Sequence, residues 1–230
     1  MRTIAYVDGF NLYHGCLKRA AHYRWLDVQA LAARLCLEQN PDQTLVGVRY
    51  FSAPVKAALS PHGLNSCIAQ QDYWLALKAH CPLLEIVLGD FFVASGSYHP
   101  DVPGPVDFGR KVRVLRPEEK RTDVNIALRM VLDAIDGRCE QQVLFSNDSD
   151  CVPVLETIRT RCPDMRLGVV APIPRGERSG RRPSADLIAC AHWARDTIGE
   201  DELLACQLPE SVRTRKRSIR RPERWRESPA

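Results

Sequence analysis

No stretch of this 230-residue chain runs for eighteen apolar residues without a charge or a turn former, and its short apolar start, "MRTIAYVDGFNLYHG", is interrupted by Asp8. Neither a membrane-spanning helix nor a secretory leader is therefore expected. The nine cysteines, at 16, 36, 67, 81, 139, 151, 162, 190 and 206, include no C-x-x-C pair. An odd, scattered set fits neither a disulfide framework nor a zinc ribbon or finger, so a reducing, cytoplasmic home is the expectation. A Gly-rich phosphate loop is also missing, which removes nucleotide-binding kinases and dehydrogenases. An aspartyl phosphatase would want D-x-D after its first strand, where this chain reads Asp8, Gly9, Phe10.

What is present suits a globular protein with one sizeable core: 45% of the residues are hydrophobic. The net charge of +4 is unevenly spread. Ser211 to Arg226, "SVRTRKRSIRRPERWR", carries eight Lys or Arg against the single Glu223, a local +7 that leaves −3 for the rest. A mildly acidic body with a basic tail suggests an arm for a polyanion, with Trp225 able to stack on a base. The alternative is a solvated tail.

Apolar runs of strand length alternate with helical spacing. "TIAYV", "TLVGVRYFSA", "LLEIVLGDFFVA", "QQVLFS" and "MRLGVVAP" read as strands. Helices are predicted from Asn11 to His22, Val28 to Leu37, Leu64 to His80, from Val124 to near Gly137, Val152 to Arg161 and around Ser184 to His192. His14 and His22 are read as ordinary helix residues. Gly96 to Arg116 reads as a loop or hairpin excursion, and Pro172 to Pro183 as a loop bearing Arg175, Arg178, Arg181 and Arg182. The alternation predicts an α/β fold with a mainly parallel sheet and helices on both faces, with sites beyond the carboxyl ends of the strands.

Acidic residues fall at those strand ends. Asp8 follows "IAYV", Asp148 follows "VLFS", and Asp123 sits behind Thr122, the expected N-cap of its helix. Two carboxylates about 4 Å apart repel by roughly 4 kcal/mol at an effective dielectric near 20, so a converging set needs protons, cations or a metal. Hard oxygen ligands point to Mg²⁺ or Mn²⁺. Turn chemistry is the competing reading: Asp150 can cap a helix, Asp123 can answer a helix dipole, and Asn11 and Ser146 can serve as turn hydrogen-bonders.

Three segments carry a family resemblance: "YVDGFNLYHG" at Tyr6 to Gly15, "EEKRTDVNIALRMV" at Glu118 to Val131, and "VLFSNDSDCVPVLE" at Val143 to Glu156. In that order and spacing the chain resembles the NYN (LabA-like, DUF88) family of PIN-like nucleases, over roughly residues 1 to 195. Residues 196–230 are read as an extension with a basic, flexible tail. The resemblance implies a three-layer α/β/α PIN-like domain and a metal-dependent ribonuclease. It makes Asp8, Asp123, Asp148 and Asp150 the catalytic and Mg²⁺ or Mn²⁺-binding set, supported by Asn11, Ser146 and Asn147. Where many relatives carry Gly and Phe, this chain has Asn147 and Cys151.

RNA is then the expected partner, tracked by Lys111, Arg113, Lys120, Arg181, Arg182, Arg215, Lys216, Arg217, Arg220 and Arg221. The competing reading is a non-catalytic RNA-binding module on the same fold. A homo-oligomer is a further expectation.

Overall fold

The computed structural model describes residues 1–105, 107–176 and 180–226. The first strand, β1 (Arg2–Asp8), runs into a short helix, α1 (Gly9–Leu12), which continues through a π-type turn at Tyr13–Leu17. Then come α2 (Val28–Gln39), β2 (Thr44–Ser52), α3 (Leu64–His80) and β3 (Leu84–Leu88). An antiparallel hairpin, β4 (Asp90–Tyr98) with β5 (Val112–Lys120), forms a separate two-stranded sheet, so the expected excursion begins at Asp90. The chain returns through α4 (Thr122–Ile135), β6 (Gln141–Phe145), α5 (Val152–Arg161), β7 (Arg166–Val170) and α6 (Ala185–Cys190). A strand absent from the sequence reading, β8 (Trp193–Arg195), completes the central sheet.

That sheet has the order β3-β2-β1-β6-β7-β8, parallel throughout. Its inner strands β1, β6 and β7 carry continuous apolar stretches, "IAYV", "VLF" and "GVV", because both faces are covered. On β1, Ala5 and Val7 enter one core and Ile4 and Tyr6 the other. The first core lies under α2 and α3, with Leu31, Leu35 and Leu77 fully buried. The second lies under α4, α5 and α6, with Ile126, Leu155 and Leu187. The result is the expected three-layer α/β/α arrangement. Strand order reverses between β1 and β6, and a crevice opens at such a switch point beyond the strands' carboxyl ends.

Two local expectations are corrected. Arg121, not Thr122, occupies the cap position of α4, in a left-handed conformation with φ 76°. The Thr122 hydroxyl is directed to Glu119 instead. The cap role weighed for Asp150 belongs to Asp148, whose side chain accepts from the Asp150 amide at 3.1 Å.

The basic tail is not a flexible arm. Beyond β8, α7 (Glu200–Ala205) and a small hairpin of β9 (Ser211–Arg213) with β10 (Ser218–Arg220) lay Leu203, Val212, Ile219 and Trp225 into the first core. Trp225 packs 6.2 Å from Trp25 and 5.9 Å from Tyr73 between ring centroids, so it is not offered to a base. Alternating burial at Val212 and Ile219 leaves the intervening Arg and Lys outward, which is how a +7 segment also serves as a core element. Among the described residues, no helix is long and apolar enough to cross a membrane.

Candidate active site at the carboxyl edge of the sheet

Asp8 ends β1 at the switch point and is buried. Its Oδ1 accepts from the Asn11 backbone N–H at 2.8 Å, capping α1, and its Oδ2 accepts from the Ser146 hydroxyl at 2.9 Å across to the end of β6. Ser146 Oγ in turn accepts the Asp148 N–H at 3.1 Å. The Asn11 side-chain oxygen accepts the Asn147 N–H at 3.3 Å. Asn147 then reaches the loop ahead of α6, donating to the Arg182 carbonyl at 3.0 Å and accepting the Ser184 N–H at 2.7 Å. Three polar residues placed by sequence as supporting groups thus stitch β1, β6 and the 182–184 segment together.

Burial pushes the Asp8 carboxyl up to about 6, against the Asn11 and Ser146 hydrogen bonds, with the Asp123 and Glu119 charges adding to the rise. Asp123, at the first turn of α4, is also raised, by shielding of its carboxyl and then by Asp148 and Asp150. Glu119 is raised by burial and by Asp123. Beneath them the buried Cys151 thiol is raised by burial and by all four aspartates, so it stays protonated. The structure therefore gathers Asp8, Asp123, Asp148 and Asp150 into one electrostatic neighbourhood and adds Glu119. Sequence reasoning passed over Glu119, although it stands four residues before Asp123 in the second motif. Among the described residues, no three His, Cys, Asp or Glu side chains form a group able to hold a metal ion.

Beside this edge lies a cleft of about 460 Å³. Phe10, Tyr13, Tyr50, Trp74 and Phe91 supply aromatic wall, with the buried Tyr73 and Trp225 behind. Gly9 forms part of the wall for a steric reason: a Cβ there would come within 2.4 Å of the Phe51 carbonyl and 2.8 Å of the Tyr50 ring. Lys18, Arg24 and Arg224 give the cleft positive charge, and His14 and Glu119 give it titratable groups. Arg24 is fixed by donating to the Leu17 carbonyl at 3.0 Å, with its guanidinium 5.6 Å from the Tyr13 ring centroid. His14 lies against Phe10, centroids 4.3 Å apart, and burial with the Lys18 and Arg181 charges lowers its pKa, leaving a neutral imidazole. It sits in the helical turn Tyr13–Leu17, as the sequence reading expected, and also lines the cleft. The wall comes from five chain segments, and no local pattern announces it.

The ten basic residues expected to track a phosphate backbone are dispersed. Lys120 pairs with Glu118 at 3.3 Å, and Arg113 donates to Ser95 at 2.9 Å on the hairpin, where Lys111 is exposed. Arg217 pairs with Asp72, and Arg221 donates to the His22 carbonyl and, at 2.7 Å, to that of Trp225. Arg181, Arg182, Arg215, Lys216 and Arg220 are exposed on separate loops or the tail hairpin. Arg178 lies outside the described residues.

No protein-family model matches the chain. Over 242 aligned residues, covering 98% of this chain and 75% of the relative, it is 34% identical to 6-hydroxy-3-succinoylpyridine 3-monooxygenase HspA of Pseudomonas putida. Among solved structures, a Vibrio parahaemolyticus protein of unknown function is matched over 87% of this chain and 94% of its own, with 18% identity and a TM-score of 0.46. At that level neither activity nor partner transfers. This relative, matched over 98% of the chain, overturns the expected ribonuclease and its RNA-binding alternative, since its name is that of an oxidoreductase. The acidic motifs misled because carboxylates at a switch point serve more than one chemistry.

Proposed function

We propose a monooxygenase activity for this chain, which belongs to the family of the Pseudomonas putida 6-hydroxy-3-succinoylpyridine 3-monooxygenase HspA. The substrate class is a small hydroxylated aromatic or N-heteroaromatic ring bearing a carboxylate arm. One observation carries this reading: the aromatic-walled cleft of about 460 Å³ beside the acidic strand ends, with fixed positive charge in its lining. Its volume falls within the roughly 300–1,000 Å³ of small-molecule sites, which combine apolar walls with a few placed polar groups.

The ring would lie between Phe10, Tyr50 and Trp74, and the carboxylate arm would meet Lys18, Arg24 or Arg224. His14, held neutral, is equipped to accept the proton of a ring hydroxyl, which raises electron density on the ring for oxygen insertion. Glu119, with its raised pKa, can hold a proton at the same cleft. At a ring position that carries hydrogen the reaction balances as ring C–H, O₂, two electrons and two protons giving ring C–OH and water, with the electrons delivered by a reduced nicotinamide or flavin met as a co-substrate.

The test is oxygen uptake by the purified protein with reduced nicotinamide, with and without added reduced flavin, across hydroxypyridine and hydroxybenzene acids. The proposal expects uptake that requires the aromatic acid and falls when its carboxylate is replaced by an amide. Oxygen uptake indifferent to every aromatic acid, with no quenching of tryptophan fluorescence by any of them, would overturn it.

A further inference from the structure

A second cavity, of about 410 Å³, shares no lining residue with the cleft. It is a groove between α2 and the start of β2, bounded at one side by the turn from α3 into β3. Ala30 and Ala33, one turn apart on α2, leave room that longer side chains would fill, and Leu37, Leu45 and Leu83 give the groove apolar sides. Its rim is held by the backbone. Gln29 Oε1 accepts the Leu83 N–H at 2.8 Å, the Val48 N–H donates to the Leu83 carbonyl at 2.9 Å, and the Thr44 N–H donates to the Met1 carbonyl at 2.8 Å. The groove is therefore already formed, and its volume is that of a small-molecule site.

The polar groups in the groove call for one kind of ligand. Gln43 is 7% exposed and lines the groove, and its side-chain oxygen finds no hydrogen-bond partner among the described residues. A buried acceptor in that state costs stability until something donates to it. Asp27 supplies the only carboxylate of the lining and is itself 8% exposed. Its Oδ1 accepts from the Ala30 N–H at 2.8 Å and from the Cys81 thiol at 3.3 Å, and its Oδ2 stands 3.4 Å from the ring of the exposed His80. No Lys or Arg lines the groove, whereas Lys18, Arg24 and Arg224 line the cleft. An unanswered acceptor and a buried carboxylate, set in apolar walls without a fixed cation, match a ligand that donates N–H bonds and carries positive charge.

We propose that this groove is a second ligand site, for a small organic ammonium ion with an apolar body. The ammonium supplies the missing donor to Gln43 Oε1 in the field of the Asp27 carboxylate, and the body lies along Ala30, Ala33 and the flanking leucines. The site is separate from the cleft, and it does not rest on the monooxygenase reading.

The test is a titration of the full chain, labelled with ¹⁵N, with phenethylammonium at pH 8, followed by amide chemical shifts. Phenethyl alcohol and hydrocinnamate serve as the neutral and anionic counterparts. The proposal expects shifts at Ala30, Ala33 and the Gln43 side-chain amide, a Kd of about 1 mM or tighter, and at least about tenfold weaker binding of both counterparts in the groove. Two variants separate binding from folding. Asp27→Asn keeps a side chain able to cap α2 and removes the charge, and Gln43→Met keeps the length and removes the unanswered acceptor. Each should weaken phenethylammonium about tenfold, while Gln43→Met leaves the thermal midpoint unchanged or raises it. If water alone answers Gln43, the groove resonances stay in place up to about 10 mM amine, and the proposal is overturned. Equal binding of the alcohol, or parent affinity in Gln43→Met, overturns it as well.

Discussion

Ser146 donates its hydroxyl to Oδ2 of Asp8 at 2.9 Å while accepting the Asp148 N–H at 3.1 Å, so one buried side chain joins the carboxyl ends of β1 and β6. Removing it leaves a buried carboxylate and a buried-edge amide each short of a partner. Ser146→Ala should lower stability by about 1–3 kcal/mol at pH 8, measured by urea unfolding. The loss should shrink as Asp8 becomes protonated at pH 4, because the hydrogen bond favours the ionised form. Equal loss at both pH values would disconnect Ser146 from the charge of Asp8.

Asp8 itself carries a pH signature with a definite sign. Its folded pKa, about 6, stands above the ordinary 3.8, so the folded chain holds a proton that the unfolded chain releases. Burial of the carboxylate therefore subtracts stability as pH rises from about 4 through 6, and by about 3 kcal/mol in full above that range. Asp8→Asn, which abolishes the charge, should raise the thermal midpoint by several degrees at pH 8 and by little at pH 4. A lower midpoint at pH 8 would show that ionised Asp8 is stabilising instead.

Trp225 tests the tail. A tail that merely carries charge could lose this side chain freely, whereas here it fills the first core against Trp25 and Tyr73. Trp225→Ala should cost about 3–5 kcal/mol in denaturant unfolding. Unchanged stability would return the segment to the status of a loose arm.

Much of the sheet could be read in advance because parallel strands buried on both faces appear as short continuous apolar runs, as "TIAYV" and "QQVLFS" do. Asp8, Asp148 and their polar neighbours were legible for the same reason: Asp8 directly follows such a run, and Ser146, Asn147 and Asp148 follow the next within three residues. The cleft was not, since Phe10, Tyr50, Trp74, Phe91 and Trp225 are brought together only by tertiary packing. The tail was misread because its charge run hides Val212, Ile219 and Trp225, whose spacing of seven and six fits no one period. The chemistry was misread because a carboxylate cluster reports where a site lies and not which reaction it runs.

The cleft reading separates binding from folding. Phe10 and Lys18 line the cleft but are exposed, so changes there should leave the fold intact. Phe10→Ala and Lys18→Glu should each weaken binding of a hydroxylated aromatic acid about tenfold by calorimetry, with thermal midpoints unchanged. For Lys18→Glu the loss should vanish when the ligand's carboxylate is replaced by an amide. Loss of affinity that tracks loss of stability would assign both residues to the scaffold.

The most direct measurement uses ¹⁸O₂ with reduced nicotinamide, the purified protein and a hydroxypyridine acid, followed by mass spectrometry of the aromatic product. A monooxygenase places one ¹⁸O atom in the product, in an amount matching the oxygen consumed, and reduces the other to water. A product carrying no ¹⁸O, or an aromatic acid recovered unchanged while reductant is consumed at the same rate without it, would contradict the account.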